Sequence, residues 1–342
     1  MRAQRALRLQ DVAERAGVSL ATASRALSGR DGVSSGLAER VREVAREMGY
    51  VANPHARSLA GGSTPSVGLV VHEISDPYFA EIATGVMRIG DREGLTVQVC
   101  HTGRDPDREV AQIRALAANR VGRIIIAGSG FVDAAFQRET RRALDDYRAT
   151  GGRVAVIGRH HLSADAVLPD NRDGARSVVD HLLTLGHRRL AIVAGSRLLT
   201  TVADRLAGAM ETLTEHGLDP SSVPVIEAEF TRRGGKEAAR RVLDEHPDVT
   251  AILALNDDMA IGVLSSLRAA GVDVPGDVSV AGFDDIGVAQ DLAPSLTTVR
   301  LPMTTLGEIA LSLTLQEPAA RARRRTTGHE LVVRDSTGAP RS

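Results

Sequence analysis

Eight polar and aromatic residues stand just past short apolar runs of this chain, and their types suit one chemistry. Asp76, Tyr78 and Phe79 follow SVGLVVH (66–72), and Arg159 follows RVAVIG (153–158). Phe230 ends PVIEAEF (224–230), Asn256 ends TAILALN (250–256) and Asp284 ends SVAGFD (279–284), while Arg205 opens RLAG. Polyols are held by planar groups that bond bidentately, such as Asp, Asn and Arg, with an aromatic face against the C–H side. This set carries that chemistry. Plainer alternatives stand beside it. Asn256 and Asp284 could cap helices, Arg205 could pair with Asp204, and Phe79 and Phe230 could be core residues. Yet the chain has only five Phe, so two at strand ends are suggestive. His160 and His161 lack metal-ligand spacing partners and read as loop.

A second chemistry belongs to residues 9–27, LQDVAERAGVSLATASRAL. Val12, Ala13 and Ala16 form an apolar helical face that stops at Gly17, which takes a left-handed conformation cheaply. Ser19 then offers an oxygen to the free amides of the next helix. Two short helices around a tight turn are the layout of a helix-turn-helix, whose second helix reads base edges in the major groove. The first residues of that helix are Ser19, Leu20, Ala21, Thr22, Ser24 and Arg25. Leu20 and Ala21 offer only apolar contact, for example to a thymine methyl. Arg25 can pair bidentately with guanine.

These groups need a frame. Residues 8–50 predict three helices, about 9–16, 20–28 and 35–48, the last carrying Leu37, Val41, Val44, Ala45 and Met48 at helical spacing. Asn53, Pro54 and the pair Gly61-Gly62 bound a short helix over 53–60, too short to persist alone in water. It is expected to be disordered in the free protein. From Ser66 onward eight apolar runs alternate with helical stretches at 77–93, 106–119, 171–186, 201–216, 232–245 and 257–271. That alternation predicts parallel sheets covered on both faces. There are too many units for one small sheet, so two lobes are expected, with a ligand at the carboxyl ends of the strands. The run RARRR (321–325) reads as a solvated loop, HELVVRD (329–335) as a last strand, and the tail after it as disordered.

Composition narrows the class. The 342 residues are 43% hydrophobic and 25% charged, as in a soluble globular protein of two or three domains. Aromatics make up 2%, so the cores must be built from aliphatic residues. Cys100 is the single cysteine, which rules out an intrachain disulfide. No apolar run approaches a membrane span and no signal h-region follows the basic start, so a cytoplasmic protein is expected. Net charge is −1, divided as +4 over residues 1–62 and −5 over the rest. A basic front on an acidic body suits a nucleic-acid-binding head. No Walker A, G-x-S-x-G or H-E-x-x-H motif is present, and GSG (128–130) is too short for a dinucleotide fingerprint. Asp257-Asp258 and Asp284-Asp285 are adjacent acids, which rarely converge on one substrate. No enzyme activity, cofactor or metal is expected.

Across nearly its whole length the sequence resembles the LacI–GalR family of bacterial transcription regulators. The matching segments are DVAERAGVSLATASRAL, NPHARSLA, DNRDGARSVVDHLLTLGHRRLAIVAG, ADRLAG, LNDDMAIGVL, DVSVAGFDD and LTTVR, in the family's order. The resemblance implies an α/β protein with an all-α helix-turn-helix head (1–50) and a hinge (51–64). The core (65–342) would be two-lobed, like the periplasmic sugar-binding proteins, with parallel sheets flanked by helices. Lobe one would cover about 65–163 and 296–317, lobe two about 164–295 and 328–338. It implies a homodimer on a pseudo-palindromic operator, and no leucine heptads follow His329 to build tetramers. It places a base contact at Arg25 and operator choice at Leu20 and Ala21. Asn53, Ala56 and Ala60 would sit close to the minor groove, with Leu59 wedged between base steps. Effector contacts are implied at Phe79, Arg205, Phe230, Asn256 and Asp284. The resulting expectation is a repressor of carbohydrate-utilisation genes answering to a sugar or sugar phosphate. A nucleoside or purine effector stays open, as does a sugar-binding protein with no DNA role.

Overall fold

The computed structural model describes residues 7–28, 31–50 and 64–341. The chain divides at Thr64 into two units. The first holds α1 (Leu9–Ala16), α2 (Leu20–Ser28) and α3 (Ser35–Glu47). Gly17 closes α1 at φ 68°, and the Ser19 hydroxyl accepts the Thr22 amide at 3.1 Å, so both turn signals work as their chemistry requires. Val12, Ala13, Ala16, Ala23, Ala26, Ala38, Val41 and Ala45 form the small core, with Leu37, Val44 and Met48 only half-buried. Asn53, Ala56, Leu59, Ala60 and the expected helix 53–60 lie outside the described residues.

The second unit contains two parallel sheets. Lobe one is built on β1 (Thr64–Val71), β2 (Thr96–His101), β3 (Val121–Ala127), β4 (Arg153–Ile157), β5 (Asp165–Leu168) and β11 (Arg324–Thr326), in the order β2-β1-β3-β4-β5-β11. Lobe two is built on β6 (Leu190–Ala194), β7 (Val225–Glu227), β8 (Ala251–Ala254) and β9 (Ser279–Ala281), in the order β7-β6-β8-β9. The apolar runs are continuous because each strand is covered twice. In β1, Val67, Leu69 and Val71 face α4 (Pro77–Arg92) and α11 (Met303–Leu315). Val70 faces the opposite layer, α5 (Pro106–Ala118) and α6 (Arg138–Ala149). In β6, Leu190, Ile192 and Ala194 pack with α7 (Asn171–Thr184) and α8 (Thr200–Glu215). Ala191 and Val193 pack with α9 (Arg232–Glu245) and α10 (Asp257–Ala269). Helices cross closely where bulk is missing. A Cβ on Gly85 of α4 would lie 1.9 Å from the Thr304 carbonyl oxygen of α11.

Several expectations need correction. The first sheet takes in β5, beyond the expected lobe boundary at 163, and β11 pairs with β5. The last two residues of RARRR, Arg324 and Arg325, therefore belong to an edge strand whose side chains are exposed, so it carries no apolar signature. The tail after 335 is fixed: the Ser336 amide donates to the Ser295 carbonyl at 2.9 Å, and its carbonyl accepts from Val280 at 2.8 Å.

The chain passes between the lobes three times, at 169–170, at 301–302 and at 327–329. Beside the crossings, β10 (Thr298–Arg300) and β12 (Glu330–Val332) pair antiparallel and pack on α7. His329 Nδ1 meets Asp170 Oδ2 at 2.7 Å, joining the first and third crossings. Arg300 reaches Asp285 and Glu330, each at 2.7 Å.

Candidate functional site

Parallel sheets of this kind gather loops at the carboxyl ends of their strands, where the order reverses. Both lobes aim those ends at one cleft. Lobe one contributes His72, Asp76, Tyr78 and Phe79 after β1, Arg104 after β2, Gly128 and Ser129 after β3, and Gly158 after β4. Lobe two contributes Leu199, Thr201 and Arg205 after β6, Phe230 after β7, Asn256 after β8 and Asp284 after β9. A larger hollow of about 560 Å³ lies away from these ends, beside β4 and β5. Its arginines are spent on protein groups, Arg323 on Asp165, Arg153 on Glu317 and Arg148 on Asp145.

Arg205 anchors the lobe-two wall. It lies more than one turn inside α8 rather than opening a helix, and it is 2% exposed. Its Nη2 donates to Asp284 Oδ1 at 2.8 Å and its Nε to Asn171 Oδ1 at 2.9 Å, and Nη1 donates to the Leu255 carbonyl. The guanidinium lies 3.7 Å from the Phe283 ring centroid. Its partner is Asp284 rather than Asp204. Asp284 sits at φ 112°, a conformation L-residues rarely adopt, and it is no helix cap. Burial pushes its carboxyl up to about 7 against the pull of Arg205. Asp257 is turned inward, accepting from Thr298 Oγ1 at 2.6 Å and from the Ile286 amide at 2.9 Å, which holds the Asp284 loop in place.

Asn256 is a helix cap that also faces the cleft. Its Oδ1 caps α10 through the Met259 amide at 2.9 Å, and the residue lines the cleft. Asp76 likewise caps α4 with Oδ1, which accepts from Tyr78 N at 3.0 Å. Burial raises its carboxyl to about 6, and burial also raises the Tyr78 phenol. Phe79 is 4% exposed, edge-on to Tyr78 and tilted against His72, so it is as much core as cleft. Strand β7 stops at Glu227, so Phe230 stands in the following loop rather than at a strand end. Its ring packs on Gly195, where a Cβ would lie 2.1 Å away, and the Arg104 guanidinium carbon is 5.6 Å from its centroid.

Arg159 is the one expected ligand residue that the fold turns away. It grips Asp204 with Nη2···Oδ1 at 2.7 Å and Nε···Oδ2 at 3.1 Å, outside the cleft lining. This pair joins a latch between the lobes. Ser129 Oγ of lobe one accepts the Thr201 amide at 2.9 Å, and Thr200 donates its amide to the Gly130 carbonyl at 2.9 Å. His160 is buried structure, its ring between Gln137 and the Gly128 carbonyl, and burial lowers it to about 4. His72, Arg104, Ser129 and Thr201 carried no signal in the sequence, because only the folded loops bring them to the cleft.

In the helical unit, Ala23 and Ala26 face inward while Ser19, Leu20, Ala21 and Arg25 are exposed. Leu20, at 52% exposure, is an apolar side chain in water on the first turn of a short helix. Arg25 Nε donates to the Ala21 carbonyl at 3.3 Å. Thr22 and Ser24 are half-buried, and the Ser19 and Thr22 hydroxyls stand 2.8 Å apart.

The comparisons with known proteins agree with both halves. The family described as "Bacterial regulatory proteins, lacI family" matches residues 8–53, and "Periplasmic binding protein-like domain" matches residues 179–337. The HTH-type transcriptional regulator DegA of Bacillus subtilis is 32% identical over 301 residues, 87% of this chain and 88% of that protein. The structure of the transcriptional regulator CelR–cellobiose complex covers 96% of this chain and 99% of its own, at 30% identity and a TM-score of 0.72. The lac repressor dimer bound to operator and the anti-inducer ONPF covers 98% and 100%, at 26% identity and a TM-score of 0.83. The chain belongs to the LacI family of DNA-binding transcriptional regulators and is not an enzyme.

Proposed function

We propose that this regulator represses carbohydrate-utilisation genes as a homodimer on a pseudo-palindromic operator, and that a sugar held between its lobes changes its grip on DNA. The observation that carries the sugar reading is the convergence of Arg205, Asp284, Asn256 and Phe230 from one lobe on Asp76 and His72 of the other. Paired planar hydrogen-bonding groups beside an aromatic ring match a polyol. The cellobiose-bound relative supports that class, and the operator-bound dimer supports two heads on two half-sites.

A ligand shifts the balance only by binding one arrangement of the lobes better than another. The coupling is proposed to run through the segment around Pro54, with Leu59 as the minor-groove wedge. Leu59→Ala is expected to weaken operator binding strongly and to leave the sugar affinity of the core intact. Equal operator affinity in a titration refutes the wedge. The sugar reading is tested by a thermal-shift panel of sugars and nucleosides, followed by salt-dependent operator titration with the best ligand. A nucleoside that stabilises the protein where no sugar does overturns it.

A further inference from the structure

One cleft residue, Arg104, carries a charge that a neutral sugar cannot match. Arg104 stands in the turn after β2 with a left-handed backbone, φ 61°. Among the described residues its guanidinium makes no hydrogen bond, and no carboxylate lies within ion-pair distance of it. Its contact is the Phe230 ring at 5.6 Å, across the cleft. A guanidinium stacked on a ring still presents its planar N–H edge, which matches carboxylate and phosphate oxygens.

The other charges nearby are already matched or engaged. Arg205 is met by Asp284, and Asp258 by Arg232 at 2.8 Å. Glu73 is engaged with Ser75 and stands 3.6 Å from His101. Asp76 spends one oxygen on the Tyr78 amide. Beside Arg104, the His72 ring is 4% exposed and lines the cleft, with no hydrogen-bond partner on either nitrogen among the described residues. Burial, then the Arg104 charge, lowers His72 to about 3, so it is a neutral donor and acceptor. Desolvation lowers Arg104 against the longer-range pull of Asp76 and Glu73, neither of which bonds to it. A hydroxyl can accept from Arg104 but cannot neutralise it.

Resting on the sugar reading above, we propose that the effector is an anionic sugar whose oxyanion, a carboxylate or a phosphate, is taken by Arg104, with a neighbouring hydroxyl read by His72. Charge-assisted bidentate bonds to guanidinium are about twice as strong as neutral ones.

Calorimetry on the full chain with matched trios tests this: galactose, galacturonate and galactose 6-phosphate, and the glucose equivalents. One anionic member is expected to bind at least about tenfold more tightly than its neutral parent. The preference should shrink at high salt. A uronate preference names the carboxylate as the oxyanion, and a sugar-phosphate preference names the phosphate. Arg104→Gln should abolish the preference while neutral sugar binding persists, and Arg104→Lys should restore part of it. A neutral sugar that binds as tightly as its anionic partners overturns the proposal and leaves the sugar reading standing. An anion preference that survives Arg104→Gln overturns the assignment to Arg104. No binding by any sugar overturns the sugar reading and this proposal with it.

Discussion

Replacing Asp284 by Asn tests the electrostatics of the cleft through the sign of a pH dependence. The ordinary value of this carboxyl is 3.8, and burial carries it to about 7. Across that window the folded protein holds a proton that the unfolded chain has released. Wild-type stability therefore falls as pH rises from about 4 towards 7 and is flat beyond. At about 1.4 kcal/mol per pH unit, the interval from about pH 5 to about pH 7 corresponds to roughly 2–3 kcal/mol. Asn cannot titrate and lacks this dependence. Asp76, pushed up to about 6, titrates in the same window and is coupled to Asp284, so the comparison reads the two carboxyls together. Cutting one partner out of a buried ion pair ordinarily costs about 3–5 kcal/mol. Here Asn keeps an oxygen against Arg205, which also retains Asn171 and the Leu255 carbonyl. Urea unfolding of both proteins at several pH values is the assay. Asp284→Asn should gain on the wild type by about 2–3 kcal/mol across the interval while losing its ligand response and keeping its operator affinity. A wild type that gains on the variant as pH rises refutes the reasoning, for the ion pair would then outweigh desolvation.

Ser129→Ala removes the oxygen that caps the first turn of α8 from the opposite lobe. A loss of about 1 kcal/mol, hence about fivefold in effector affinity, is expected by calorimetry. Unchanged affinity would show that the latch does not contribute to closure. Gly85→Ala forces a methyl into the Thr304 carbonyl and should destabilise the core by about 1–3 kcal/mol in urea unfolding. An unaltered midpoint would mean that α4 and α11 can separate at no cost. Arg25→Ala should cost about 1–3 kcal/mol against the cognate operator and relax selectivity at one base pair. Binding selections on randomised half-sites would show otherwise if every position kept its preference.

Local chemistry was legible and distant pairing was not. Gly17 and Ser19 announce a turn through their own backbone and side-chain preferences, so the bounds of α1 and α2 could be read directly. The alternating segments of the core were equally plain, because strands covered on both faces need unbroken apolar runs. Helix α6, RETRRALDDYRA, was missed because only Ala143, Leu144 and Tyr147 mark its buried apolar stripe. Strand β5 was missed because it is four residues long, and β11 because an exposed edge strand can be all polar. In the cleft, residues flanking strand ends were found by position alone. Arg159 was misplaced because Asp204, its partner, is distant in sequence. Arg104 owes its place to the left-handed turn after β2, which no spacing rule reveals.

The three passages of the chain between the lobes have a mechanical consequence. Three tethers across one gap, tied together by His329 with Asp170 and by Arg300 with Asp285 and Glu330, resist sliding and leave rotation as the soft motion. Occupancy of the cleft is thereby translated into a single angle. Asp284, which touches that knot through its bridge to Arg300, stands at the pivot, so one residue belongs both to the wall of the cleft and to the joint of the jaw.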